Sequence, residues 1–109
     1  MPDRKLAEEF DEAMHIVYQR ALSEANYKAT LFLGMLYAHR GLETALLLLH
    51  APKVTDGYTA LWERGRLDLT VEAVIHDNAK WHALFTEEEL GICHNRLKEY
   101  RYCKNDESR

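Results

Sequence analysis

Between residues 3 and 23 the apolar positions fall at Leu6, Phe10, Ala13, Met14, Val17 and Ala21. Steps of three and four put them on one stripe of an amphipathic helix. Glu8, Glu9, Asp11 and Glu12 fill its early turns, where carboxylates suit the positive end of the helix dipole; this acidic run reads as a solvated helix face. Asn26 suits a cap or joint. Residues 27–39 then read YKATLFLGMLYAH, apolar on almost every face, which predicts a central helix with neighbours all round. Arg40-Gly41 predicts a stop, because glycine tolerates the left-handed backbone that ends many helices. A second apolar run covers residues 42–50, with consecutive leucines at 46–49, and Pro52 ends it.

The second half of the chain is built from shorter pieces. Residues 51–57, APKVTDG, predict a loop in which Thr55 or Asp56 caps a short helix. Tyr58, Leu61 and Trp62 share a face of that helix, and Gly65 ends it. Asp68 reads as the N-cap of a helix over 69–76, with Val71, Val74 and Ile75 facing inward. Valine and isoleucine also suit a strand, but LTVEAVIH does not alternate with period two and has no second strand to pair with. Asp77-Asn78 predicts a turn, after which Trp81, Leu84 and Phe85 anchor a single helical turn. Thr86 with Glu89 forms a capping box, and Phe85 with Leu90 the accompanying hydrophobic staple. The helix that follows, over 87–101, carries Leu90, Cys93, Leu97 and Tyr100 on one face. The expected architecture is an all-α, single compact domain of five or six helices over residues 1–102. The helix pair within 27–50 lies buried at its centre, and 103–109 form a polar C-terminal tail.

The segment LWERGRLDLTVEAVI at 61–75, followed by LFTEEEL at 84–90 and RLKEY at 96–100, resembles a group of small bacterial proteins of unassigned function. The resemblance spans about residues 27–102. It implies a free-standing helical domain of bacterial or phage origin, and it implies no activity and no site.

Composition narrows the functional classes. With 109 residues, 47% of them apolar and 29% charged, the chain matches one globular domain and is too apolar for a disordered one. The net charge of −4 divides as −2, −1 and −1 over residues 1–28, 29–85 and 86–109. There is no basic stripe of the kind that tracks phosphates, and no acidic block. Two cysteines, Cys93 and Cys103, are too few for a disulfide framework and point to free thiols in a reducing cytoplasm. The N-terminus leads directly into acidic residues with no apolar core of a signal peptide. The most apolar window, 29–51, holds Arg40 and Glu43 near its middle, and a membrane-centred arginine alone costs about 2.5–3.5 kcal/mol. No membrane segment is expected.

Candidate chemistry is thin. Six histidines and two cysteines could serve a metal, yet neither an HExxH pair nor a Glu-x-x-His motif is present, and Cys93 and His94 point about 100° apart on a helix. No metal or cofactor is expected. Ser23 and Ser108 are the only serines, outside any nucleophile-elbow context. Cys93, on an apolar face, reads as a small buried hydrophobe, and Cys103 as the more reactive thiol. Glu63, Asp68 and Glu72, with Arg40, Arg64 and Arg66, read as caps and ion pairs at helix corners. An enzyme is disfavoured; its polar set would be His39, Glu43, Glu72 and His76.

The expected function is a non-enzymatic protein-interaction or regulatory module acting through a helical surface, for which Tyr58, Trp62, Arg64, Arg66, Arg96 and Tyr100 are the candidate residues. A small domain has little interior in which to hide so many apolar positions. Part of the 46–49 run, or the Leu6-to-Ala21 stripe, is therefore expected to be covered by a second copy in a homodimer, or by another protein. The alternatives are a nucleic-acid-binding regulator, using the short helix near 56–64 or the last helix, where aromatics stand among Arg96, Lys98 and Arg101, and a small acidic phage-type inhibitor of a nucleic-acid-handling complex.

Overall fold

The hydrophobic stripe at the N-terminus forms α1 (Arg4–Ala25), which buries Phe10, Met14, Val17 and Ala21. In the computed structural model, which describes residues 4–100, it is followed by α2 (Thr30–Leu49), α3 (Asp56–Glu63), a 3₁₀ turn (Leu67–Leu69), α4 (Val71–Asp77), a second 3₁₀ segment (Ala79–Leu84) and α5 (Glu87–Glu99). No strand occurs among the described residues, and the fold is all-α. The predicted tail, with Cys103, lies outside them.

Asn26 is the joint between α1 and α2 and takes a left-handed φ of 55°, a conformation asparagine tolerates better than most residues. The Tyr27 N–H then donates to the Ala21 carbonyl at 3.0 Å. α2 is broken where Arg40-Gly41 predicts a stop, but the roles of the two residues are exchanged. Arg40, not Gly41, leaves helical space, with φ 67° and ψ 175°, a backbone region that strains any residue with a side chain. Gly41 is required for a different reason. A Cβ there would sit 2.7 Å from the Asp11 Cα, so only glycine lets α1 and α2 approach this closely.

The break is closed by its neighbours. The Asp11 carboxylate accepts the Gly41 N–H at 2.7 Å and the Arg40 guanidinium at 3.3 Å, so an acid of α1 caps the second half of α2. The Thr44 hydroxyl donates back across the break to the Met35 carbonyl at 3.0 Å. Asp11 is thus a structural cap and not merely part of a solvated face.

α2 packs chiefly on α1 and contributes Leu36, Thr44, Ala45 and Leu49 to the interior, but Leu31, Tyr37 and Leu47 are exposed, so the 27–50 pair is not enclosed on all sides as expected. Its neighbours are one-sided. Phe10 packs edge-on against Trp81 and Phe85, with ring centroids 5.3 and 5.6 Å away, in the same core as Met14, Leu36, Ile75 and Cys93. The Leu6-to-Ala21 stripe is therefore covered by the chain's own α2 and second 3₁₀ segment.

Capping sets the remaining boundaries. Thr55 caps α3 by accepting the Tyr58 N–H at 3.1 Å, and Gly65, at φ 72°, carries the chain out of it. α4 is capped by Thr70, not Asp68: the Thr70 hydroxyl accepts the Ala73 N–H at 3.2 Å. Asp68 falls inside the intervening 3₁₀ turn and pairs with Arg66 instead. The capping box at Thr86 and Glu89 is formed as expected, with reciprocal bonds of 3.1 and 2.9 Å.

Candidate functional site

Charged side chains converge most closely where α4 and α5 meet the end of α2. Glu72 is an acid inside the apolar run VEAVI, and Arg96 flanks the buried Cys93 and Leu97 stripe of α5. Their side chains, 6% and 12% exposed, pair at 2.9 Å. The same guanidinium donates to the carbonyls of Ala51 at 2.8 Å, Leu48 at 3.2 Å and Leu49 at 3.4 Å. It thereby satisfies carbonyls that the end of a helix leaves without intrahelical donors. The Tyr58 hydroxyl donates to the Arg96 carbonyl at 3.0 Å, which draws in α3. Burial raises the Glu72 carboxyl above the usual range, against the opposing pull of its own backbone N–H and of Arg96. This junction fastens four elements through one residue, its guanidinium reaching α4 and the end of α2 and its carbonyl reaching α3.

The polar set proposed from sequence does not converge. His39 faces Glu43 across one turn at 3.8 Å, beside the break in α2. Glu72 turns inward to Arg96, while His76 bonds Asp77 at 2.9 Å and meets His94 of α5 at 3.2 Å, the two imidazoles nearly parallel. The reading that Glu72 and His76 share a face of α4 holds, and that face meets α5. His94 was not singled out, since its 18-residue separation from His76 leaves no local spacing to read. Among the described residues no group of three or more His, Cys, Asp or Glu side chains is placed to hold a metal ion. Cys93 is fully buried, and burial pushes its thiol up to about 12, away from the thiolate range of a nucleophile.

The candidate interaction residues divide as well. Tyr58, Tyr100 and Trp62 form an edge-to-face chain with centroid spacings of 4.9 and 5.3 Å, of which Trp62 is the exposed end. Arg64 donates to the carbonyls of Ala25 and Ala60 and lies over the Tyr27 ring. Arg66 pairs with Glu24 at 2.8 Å and Asp68 at 3.0 Å, and Arg20 joins the same network. With Arg96 half-buried, all three arginines of the set are engaged inside the chain.

What stands open is apolar. On α2, Leu31 is 87% and Tyr37 75% exposed, with Gly34 and Ala38 also exposed on this half of the helix. Residues 30–38 carry no charge. Tyr37 lies against His15 of α1 at 5.8 Å, next in sequence to the exposed Ile16. Leu47 is exposed too, whereas Leu49 is buried, so the leucine run at 46–49 is covered unevenly. The signal for this face was the all-round apolarity of 27–39, which cannot by itself say which side finds a neighbour.

Beneath the start of α2 lies a cavity of about 360 Å³, walled by Val17 and Ala21 of α1, Phe32 of α2, Leu61 of α3, and Leu69 and Val71. Among the described residues no helix is long and apolar enough to cross a membrane. No protein-family model matches the chain, and no curated protein or solved structure matches it either.

Proposed function

We propose that the chain is a non-enzymatic protein-interaction module whose working surface is the outer face of the first half of α2, and that a second copy of the chain is the partner it takes. The observation that carries this reading is the exposure of Leu31 and Tyr37 on a helix segment without a charge. Large apolar side chains grouped on a surface favour association. An uncharged face also meets its own copy across a two-fold axis without like-charge repulsion. Gly34 and Ala38, small residues one turn apart, allow two such helices to approach closely.

The polar side chains support the reading from the other side. Those singled out as candidate chemistry act as caps, ion pairs and carbonyl ligands within the fold. The nucleic-acid alternative draws little support from Arg96, which Glu72 and the carbonyls at the end of α2 already hold; Lys98 is exposed, and Arg101 lies outside the described residues. The acidic-inhibitor alternative needs an acidic stripe, and the acids of α1 include Asp11, drawn into the α2 break, and Glu24, shared by Arg20 and Arg66. Sedimentation equilibrium at micromolar concentration tests the proposal. Twice the chain mass is expected, falling to the single-chain mass in Leu31→Glu and Tyr37→Glu. A single-chain mass throughout overturns it.

A further inference from the structure

We propose that the cavity beneath the start of α2 is a binding site for one small, uncharged apolar molecule, such as a single-ring compound or a medium-length alkyl chain. Its volume of about 360 Å³ lies within the range of small-molecule sites, roughly 300–1,000 Å³, and an enclosed apolar space of about 150 Å³ already admits benzene. Its inner wall is aliphatic and aromatic.

The class of ligand follows from the polar groups in that wall. Three are buried, and each is committed elsewhere. The Tyr58 hydroxyl donates to the Arg96 carbonyl at 3.0 Å. The Thr70 hydroxyl donates to the Leu67 carbonyl at 2.7 Å and accepts the Ala73 N–H. Glu72 is held by Arg96 at 2.9 Å. The half-buried Thr55 hydroxyl is taken by the Tyr58 N–H. No buried side-chain nitrogen or oxygen among the described residues lacks a partner. A ligand carrying a charge inward would shed its hydration and meet, beside these engaged groups, only the neutral hydroxyls of the half-buried Tyr18 and Tyr27. An uncharged apolar ligand gives up nothing of that kind and supplies dispersion contacts that the facing walls do not give one another.

Lys28, Thr30 and Asp56 stand at the rim, exposed to water, so a ligand's single polar end belongs there. The start of α2 forms one side of this mouth and has no side-chain cap at Ala29. An occupant seated against Phe32 and Leu61 would therefore tie α2 to α3. The site shares Leu31 with the self-association face, but Tyr37 does not line it, so a substitution at Tyr37 separates the two.

The neutral fluorescent probe N-phenyl-1-naphthylamine, titrated into the intact chain, tests this. Saturable binding of one probe per chain is expected, displaced by 1-decanol at least tenfold more effectively than by decanedioate, whose second carboxylate would have to enter the apolar interior. Ala21→Leu, which fills the cavity from α1, should weaken binding at least tenfold with the cooperative melt retained, and Tyr37→Glu should leave it unchanged. Should Ala21→Leu fail to fold, amide shifts of the unsubstituted chain decide the matter. Changes on adding 1-decanol should fall at residues 28–32, 55–58 and 69–72. Absence of saturable binding, loss of binding in Tyr37→Glu, shifts confined to 34–40, or stronger displacement by decanedioate each overturn the proposal.

Discussion

The junction at Arg96 and the first half of α2 treat their side chains in opposite ways. At the junction a full charge is taken inside and surrounded by a carboxylate and three carbonyls. On α2 a leucine and a tyrosine are left in water with no charged neighbour between them in sequence. Chemistry-bearing residues do structural work in one region, and core-type residues stand on the surface in the other. The contrast teaches where to look for function: a buried ion pair is weak evidence of activity and better evidence of a specified corner, whereas grouped apolar side chains left in water favour association.

The contrast is broken most forcefully at the junction. Arg96→Met leaves Glu72 buried without its guanidinium and the Leu49 and Ala51 carbonyls without that donor. Removing one partner of a buried pair costs about 3–5 kcal/mol, and denaturant titration should read a loss of that size. The pH dependence has a definite sign. Without Arg96 the Glu72 carboxyl, already raised by burial, rises further above its unfolded value. Stability is then fully present below the unfolded carboxylate pKa of about 4.3 and is lost as pH climbs through the folded value. The deficit of Arg96→Met should therefore widen as pH rises above the unfolded carboxylate value, and that of Glu72→Gln should not. A flat profile for Arg96→Met would contradict the role given to Glu72.

Next in size is the α1–α2 contact. Gly41→Ala drives a methyl against the Asp11 backbone at 2.7 Å, where no flexible side chain can yield. An overpacking cost of about 1–3 kcal/mol is expected, read as a lower melting temperature. An unchanged melt would mean that the helices are free to part. The smallest effect belongs to the exposed network of Arg20, Glu24, Arg66 and Asp68. Glu24 is held at about 2 by hydrogen bonds from Arg20 and Arg66, yet it stands in water, where such pairs are screened by salt and contribute little. Arg66→Ala should melt close to the unsubstituted chain at physiological salt by calorimetry. A loss rivalling that of Arg96→Met would erase the distinction between buried and exposed pairs.

Local features were legible in the sequence and distant pairings were not. The stripe of α1, the break at 40–41, the caps at Thr55 and Thr86 and the stripe of α5 all follow from spacing within a few residues. The Thr70 cap was missed because the 3₁₀ turn at Leu67–Leu69 delays α4, and Asp68, a good capping residue, stands in that turn. The exchange of roles between Arg40 and Gly41 depends on how near α1 comes, which no local pattern encodes. Glu72 and Arg96 lie 24 residues apart. The clue to their pairing was an acid within an apolar run and a base beside an apolar stripe, each on a side that faces inward. Arg96 was instead grouped with surface cations, since charge in sequence carries no depth.

The outer face of α2 is tested most directly by the mass of the native chain in solution beside that of Leu31→Glu. Leu31 is 87% exposed, so Leu31→Glu should still fold, its melt lower only by what pairing adds to the native chain. The account predicts that the native chain sediments at twice its single-chain mass and Leu31→Glu at the single-chain mass. A native chain that remains single, or a Leu31→Glu chain that still pairs, would contradict it.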